Sequence, residues 1–193
     1  DGMHYTLCDL FSDLTQNAVE AGADHIAVAL EETDRSITLT IRDNGRGMSP
    51  DQLAQATDPF WTDGIKHPGR KMGLGLPFLI QTAESTGGSW NIESKHTGTT
   101  GTTVTACFDL ANIDTPPVGD VTGFFRHVLT FEGTYEMEIV FSAERGGKRW
   151  SETIRRSELL DALGLGEAGS FTDAGSLALL GRYLESLMEE YYG

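Results

Sequence analysis

Two stretches of alternating apolar residues, 26–41 and 90–110, are each preceded by a helix-periodic run, and this order restricts the fold more than any other property of the chain. In the first run Leu7, Leu10, Phe11, Leu14 and Ala18 recur every three or four residues and Gly22 ends it, so residues 4–21 read as a helix with one apolar face. Ile26, Val28 and Leu30 then alternate with small residues, as do Ile37, Leu39 and Ile41 beyond the turn Thr33-Asp34-Arg35-Ser36, which predicts a hairpin buried on one side. Asp43-Asn44-Gly45 breaks its second strand. Ser49 and Pro50 open a short helix, as cap and first helical residue. A further helix follows from Gly73 (Leu76, Leu79, Ile80, Ala83), stopped by Gly87-Gly88, and leads into alternating segments Trp90 to Ser94 and Thr102 to Leu110. The expected product is an α+β fold, a two-layer α/β sandwich with a mixed, mainly antiparallel sheet and its helices on one face.

Residues 59–72 have no periodicity and hold two glycines and two prolines, so they read as a long loop, of a length usual for functional lids or disordered segments. Thr115-Pro116-Pro117-Val118-Gly119 reads as a linker, dividing a first domain, 1–114, from a C-terminal α+β extension, 115–193. In the extension, residues 121–129 are helix-periodic and Tyr135, Met137, Ile139 and Phe141 alternate. A second strand passes through Trp150 and Ile154, and an amphipathic helix carries Leu177, Leu180, Leu184, Leu187 and Met188. This hairpin with helices is able to continue the first sheet.

The formal net charge is -15, spread over the whole chain. Such a surface repels phosphate backbones and anionic lipid, which argues against nucleic-acid and membrane partners, and no window is apolar enough to cross a bilayer. Cys8 and Cys107 lack metal-type spacing and lie in apolar segments, as buried thiols in a reducing cytoplasm do. A cytoplasmic location is expected.

Four short stretches carry chemistry. Asp13, Asn17 and Glu20 stand at i, i+4 and i+7, on one stripe at the edge of the apolar face, and a carboxamide oxygen beside a carboxylate suits Mg2+. Alone, the stripe reads better as a solvated helix face. In Asp43-Asn44-Gly45-Arg46-Gly47-Met48 a buried carboxylate can accept from the exocyclic amine of adenine, and two glycines let backbone approach a flat ring. Alone, this is an ordinary Asn-Gly turn. Gly69-Arg70-Lys71-Met72-Gly73-Leu74-Gly75-Leu76 places free N–H groups and a helix dipole where a phosphate can sit. Gly101-Thr102-Thr103 opens the last strand of the first domain with a hydroxyl able to join Asp43.

In this order and spacing the stretches resemble the N, G1, G2 and G3 boxes of the GHKL superfamily of histidine kinases, DNA gyrase, mismatch-repair ATPases and the heat-shock chaperone, over about residues 4–110. Thr57-Asp58-Pro59-Phe60-Trp61-Thr62 is similar to the F box before the ATP lid of histidine kinases. The resemblance implies the Bergerat-type ATP-binding fold, with Mg-ATP as ligand. It implies Asn17 as magnesium ligand, Asp43 as adenine anchor, Gly45 and Gly47 as backbone wall, and Thr102 as partner near adenine. Phe60, Lys71, Gly73, Leu74, Gly75 and Leu76 fall in the segments that border the lid and its phosphates. Asp13 falls where hydrolysing members carry a Glu general base and is one methylene shorter. Lys71 replaces the first glycine of the fuller G2 pattern, which either costs the hinge some freedom or places a cation near the phosphates; Lys66 and Arg70 lie in the same lid region. None of the five histidines is followed by an acid, as a phospho-accepting histidine would be, so the acceptor is expected on a protein partner.

The implied function is a histidine kinase-like ATPase, hydrolysing ATP or transferring its γ-phosphate in a bacterial-type signalling or regulatory system. The alternatives are a stand-alone Ser/Thr protein kinase of the anti-sigma type and a binding module that senses ATP without turning it over.

Overall fold

The computed structural model describes residues 5–60 and 75–192. A single six-stranded sheet runs through it, in the order β3-β4-β2-β1-β5-β6, built from β1 (His25–Glu32), β2 (Ser36–Asp43), β3 (Ser89–Lys95), β4 (Gly101–Asp109), β5 (Glu136–Arg145) and β6 (Lys148–Arg155). Only β1 and β5 pair in parallel; the other four ladders are antiparallel. The helices are α1 (Leu7–Glu20), α2 (Pro50–Ala56), α3 (Gly75–Ser85), α4 (Val121–Leu129), α5 (Arg156–Ala162) and α6 (Ala174–Tyr192). The two-layer α+β sandwich is therefore the architecture, and the extension adds its hairpin to the same sheet beside β1.

Period-two alternation decides which face is covered. Across the register Val104, Ile41, Val28, Ile139 and Ile154 form one row, and Ala106, Leu39, Leu30 and Phe141 the next; all are buried. The residues between them, such as Ala27, Arg42, Asn91 and Arg155, are exposed on the helix-free face. Cys8 is buried in α1, which pushes its thiol up to about 12, whereas Cys107 is only half-buried.

The helix α1 starts at Leu7, three residues later than the expected span of 4–21. Thr6 is its N-cap and closes a capping box with Asp9: the Asp9 N–H donates to Thr6 Oγ1 at 3.1 Å and the Thr6 N–H to Asp9 Oδ2 at 2.9 Å. Gly22, at φ 76°, ends it in the left-handed conformation. The buried stripe Leu7, Leu10, Phe11, Leu14, Ala18 lies over the sheet, flanked by α3 on one side and α4 on the other. A chain of aromatic rings crosses the core: Phe108 to Phe11 at 6.1 Å, Phe11 to Phe124 at 6.0 Å, Phe124 to Phe125 at 5.6 Å, Phe125 to Phe141 at 5.7 Å and Phe141 to Tyr191 at 5.4 Å. Residues on either side of the 115–119 linker thus share one core. Among the described residues no helix is long and apolar enough to cross a membrane.

Candidate functional site

Three elements converge at the end of the sheet where β2 stops, and local geometry explains why each is there. Asp43 is the last residue of β2, paired with Thr102 of β4. Its side chain turns back to accept the Gly45 N–H at 2.8 Å, and the Thr102 backbone N–H also donates to it. Burial raises its carboxyl above the usual carboxylate range, and the two N–H donors oppose that rise. The carboxylate is therefore a partly desolvated acceptor held at a fixed angle.

The residues after Asp43 clamp the neighbouring loop. Asn44 Oδ1 accepts the N–H groups of Asp24 (2.8 Å) and His25 (3.0 Å), tying the turn after α1 to the end of β2. The Arg46 N–H donates to the Ala21 carbonyl at 3.0 Å. A Cβ on Gly45 would stand 2.8 Å from both the Cβ and the carbonyl oxygen of Ala21, so only glycine lets this turn close onto α1. Gly47 has φ 70°, and a Cβ there would overlap the Lys95 carbonyl.

On the other side, Gly75 begins α3 directly over α1. A Cβ at Gly75 would lie 3.3 Å from Leu14 Cδ2 and 3.5 Å from Asn17 Nδ2, so the start of α3 rests between Asp13 and Asn17. Between these elements is a cavity of about 110 Å³ lined by Leu14, Asn17, Ala18, Ala21, Ile41, Asp43, Arg46, Gly47, Met48, Ala56, Leu76, Thr102 and Val104. One half-buried carboxamide, one partly desolvated carboxylate and one hydroxyl face an otherwise mostly apolar space.

Of the residues singled out from sequence, the structure brings Asn17, Asp43, Gly47, Leu76 and Thr102 into this wall, with Gly45 and Gly75 packed directly behind it. Asp13 is exposed at the rim, its carboxylate bonded to the Tyr5 hydroxyl. Phe60 is 86% exposed and stands outside the wall. Lys71, Gly73 and Leu74 lie outside the described residues, as do Lys66 and Arg70. Among the described residues no group of three or more His, Cys, Asp or Glu side chains converges on a metal-binding point.

Sequence reasoning missed Ser94. Its hydroxyl accepts the Met48 N–H at 2.8 Å and shares a 2.7 Å hydrogen bond with Thr102 Oγ1, so it orients both the hydroxyl and the backbone of the cavity wall. The signal was the antiparallel register, which sets Ser94 opposite Thr102, and that register is not readable from the strand alone. Ala21, Arg46 and Met48 of the lining were likewise not singled out. A larger hollow of about 710 Å³ on the helix-free face has Arg42, Glu93, Glu138 and Arg155 among its walls, opposed charges in place of convergent donors.

The chain is similar to known proteins in sequence and in fold. The family model described as "Histidine kinase-, DNA gyrase B-, and HSP90-like ATPase" matches residues 4–112. The C4-dicarboxylate transport sensor protein DctB of Rhizobium meliloti is 36% identical over 103 residues, 51% of this chain and 16% of that protein. The tetrathionate sensor histidine kinase TtrS of Salmonella typhimurium is 34% identical over 71 residues, 37% of this chain and 11% of that protein. The signal transduction histidine-protein kinase AfsQ2 of Streptomyces coelicolor is 29% identical over 90 residues, 46% of this chain and 17% of that protein. The chain spans less than a fifth of the length of these relatives. Among solved structures, the N-terminal domain of a DNA repair protein superposes with a TM-score of 0.56 at 15% identity, covering 89% of this chain and 58% of that one, a likeness of fold.

Proposed function

We propose, from the premise that this chain belongs to the histidine kinase-, DNA gyrase B- and HSP90-like ATPase family, that its cavity takes the adenine of Mg-ATP and that the γ-phosphate is hydrolysed, or passed to a protein partner, at the Asp13 rim. The observation that carries this reading is the convergence of Asn17, Asp43, Gly47, Leu76 and Thr102, drawn from four separated motifs, on one cavity. The partly desolvated Asp43 carboxylate is a strong acceptor for an exocyclic amine. Ile41, Met48 and Val104 supply apolar contact for a base.

The donor set fits a magnesium ion. One half-buried carboxamide oxygen suits Mg2+, which takes few protein ligands beside substrate phosphates and its own waters. Asn17 would hold it, and the ion would neutralise charge on the phosphates. The start of α3 at Gly75 lies beside Asn17, and the first turn of a helix offers free N–H groups to an anion. In hydrolysis a water oxygen attacks the γ-phosphorus, the bond from that phosphorus to the β–γ bridging oxygen breaks and its electron pair leaves with ADP, and the proton of the water passes to Asp13.

Calorimetry with ATP, GTP, magnesium and chelator tests this. ATP is expected to bind with magnesium and to lose metal dependence in Asn17→Ala. GTP is expected to bind weaker by a few kcal/mol, because a buried carboxylate would face a carbonyl. Equal affinities for ATP and GTP would remove Asp43 as base reader. Phosphate release, measured with and without the proteins of neighbouring genes, separates hydrolysis from transfer to a partner. The chain alone releasing no phosphate while a partner becomes labelled favours the Ser/Thr kinase alternative. ATP bound with neither outcome favours the sensing module.

A further inference from the structure

We infer that Tyr5 is the positioning residue of the Asp13 carboxylate: its hydroxyl anchors one carboxylate oxygen and leaves the other turned out to receive the proton of the attacking water. The inference rests on the reading of Asp13 as general base and adds to it a residue that no box of the resemblance contains.

The Tyr5 hydroxyl donates to Asp13 Oδ2 at 2.9 Å across eight residues of sequence. This reach exists because the chain leading into α1 is pinned. Thr6 is fixed by its capping box, and the N–H groups of Leu7 and Cys8 donate to the carbonyls of Pro117 and Val118, each at 2.9 Å. Tyr5 is then laid back along the first turns of α1 instead of leading away from them. Its ring is gripped from the other side by Phe78 of α3, with centroids 5.1 Å apart and planes tilted 44°. The helix that starts against Asn17 therefore also holds the ring whose hydroxyl holds Asp13.

The shorter side chain at position 13 suits this arrangement. Aspartate has one fewer rotatable bond than glutamate, so a single hydrogen bond to Oδ2 sets the plane of the carboxylate at a lower entropic cost. Asp9, the other acid near Tyr5 on α1, has its Oδ2 committed to the Thr6 N–H, so the two carboxylates do not compete for the hydroxyl. Partial burial, followed by the hydrogen bond and charge of Asp13 and the charge of Asp9, raises the phenol above its ordinary range, so it stays a donor wherever the protein is folded and active. The catalytic proton goes to Oδ1 of Asp13, and Tyr5 keeps its own.

Tyr5→Phe keeps the ring and its packing on Phe78 and removes only the hydroxyl. Phosphate release is expected to fall about tenfold in kcat, the worth of one hydrogen bond in the transition state, while the KM for ATP stays within about twofold of wild type. In an Asp13→Asn background the same change is expected to cost nothing further, since no base remains to be aimed. The tyrosinate absorbance assigned to Tyr5 by difference from Tyr5→Phe is expected to appear at lower pH once Asp13 is Asn, which reads the contact without any turnover. Wild-type kcat in Tyr5→Phe, with Asp13→Asn inactive, overturns the inference and leaves Asp13 as base. An equal further loss in the Asp13→Asn background overturns it too, marking a structural role. Turnover that survives Asp13→Asn, or that wild type lacks, removes the reading beneath it and the inference with it.

Discussion

Asp43 is held where burial works against its charge, and the cavity makes use of that tension. The raised carboxyl means that the unfolded chain ionises first as pH climbs. The folded state therefore loses stability from the ordinary carboxylate pKa of about 4 upward, through the folded value. Asp43→Asn removes that loss. Its melting temperature is expected to exceed that of wild type at pH 7 and to converge with it below about pH 4, as thermal melts across pH would record. ATP affinity is expected to fall at least tenfold, since a neutral acceptor replaces a charged one and costs about 1.4 kcal/mol or more. A variant less stable than wild type at pH 7 would mean that the N–H groups of Gly45 and Thr102 outweigh desolvation. Gly47 is constrained more simply. With φ 70° and the Lys95 carbonyl where a Cβ would go, Gly47→Ala is expected to cost about 2 kcal/mol or more in denaturant unfolding. Both residues were legible in the sequence because their motif is local: six consecutive residues encode the strand end, the acceptor and the turn. Ser94 was not, because its role comes from a partner eight residues away across a ladder.

At the scale of elements, a near cap can be read and a far one cannot. The start of α2 is read from Ser49, whose partner Gln52 lies within one turn; the Thr6–Asp9 box is as local, and it sets the start of α1 at Leu7 rather than at the expected residue 4. The helix α5 has no such signal. Its N-cap Arg155 makes no side-chain cap bond, and the Ser157 N–H donates instead to Glu136 Oε1 at 3.0 Å, from the start of β5. Bonds from Ser157 keep the Glu136 carboxyl below its usual range despite some burial. Beside it, Arg156 is 1% exposed and holds four backbone carbonyls: Leu129 (2.7 Å), Tyr135 (2.8 Å), Gly169 (3.0 Å) and Gly133 (3.2 Å). Its guanidinium also lies 3.9 Å from the centre of the Tyr135 ring. Among these contacts no carboxylate pairs with the guanidinium; its charge is met by carbonyl dipoles converging from the last residue of α4 and from two loops. A lysine has one charged nitrogen and cannot span them. Arg156→Lys is therefore expected to cost about 3 kcal/mol in denaturant unfolding, with α5 and the loop before β5 the first to exchange amide hydrogens. A loss under about 1 kcal/mol would mean that water satisfies these carbonyls as well as Arg156 does.

For the whole molecule the question is whether the nucleotide site stands without the extension. The boxes end near residue 110, and the composition of 115–119 reads as a linker, but the parallel pairing of β1 with β5 spans more than a hundred residues and leaves no local trace. That pairing makes β1 an inner strand. Without residues 115–193 its outer edge would offer unpaired N–H and C=O groups along its whole length, as aggregation-prone edges do. The helix α1, which carries Asp13 and Asn17, would lose the cover of α4, where Phe124 meets Phe11, and the carbonyls of Pro117 and Val118 that hold its first turn. Each large apolar side chain returned to water costs about 1.5–3 kcal/mol, against a total stability of about 5–15 kcal/mol for a domain of this kind. Uncovering Phe11, Leu7, Val28 and Leu30 together reaches that total. A fragment of residues 1–114 is therefore expected to melt without a cooperative transition and to bind ATP at least a hundredfold more weakly than the full chain, by calorimetry at equal concentration. Co-expression with residues 115–193 as a separate chain is expected to restore both, because sheet and core are shared rather than linked. A cooperative melt of 1–114 with full ATP affinity would instead make the extension an addition to a self-sufficient nucleotide domain. Its task would then lie outside folding, on the face that β6 and α6 present.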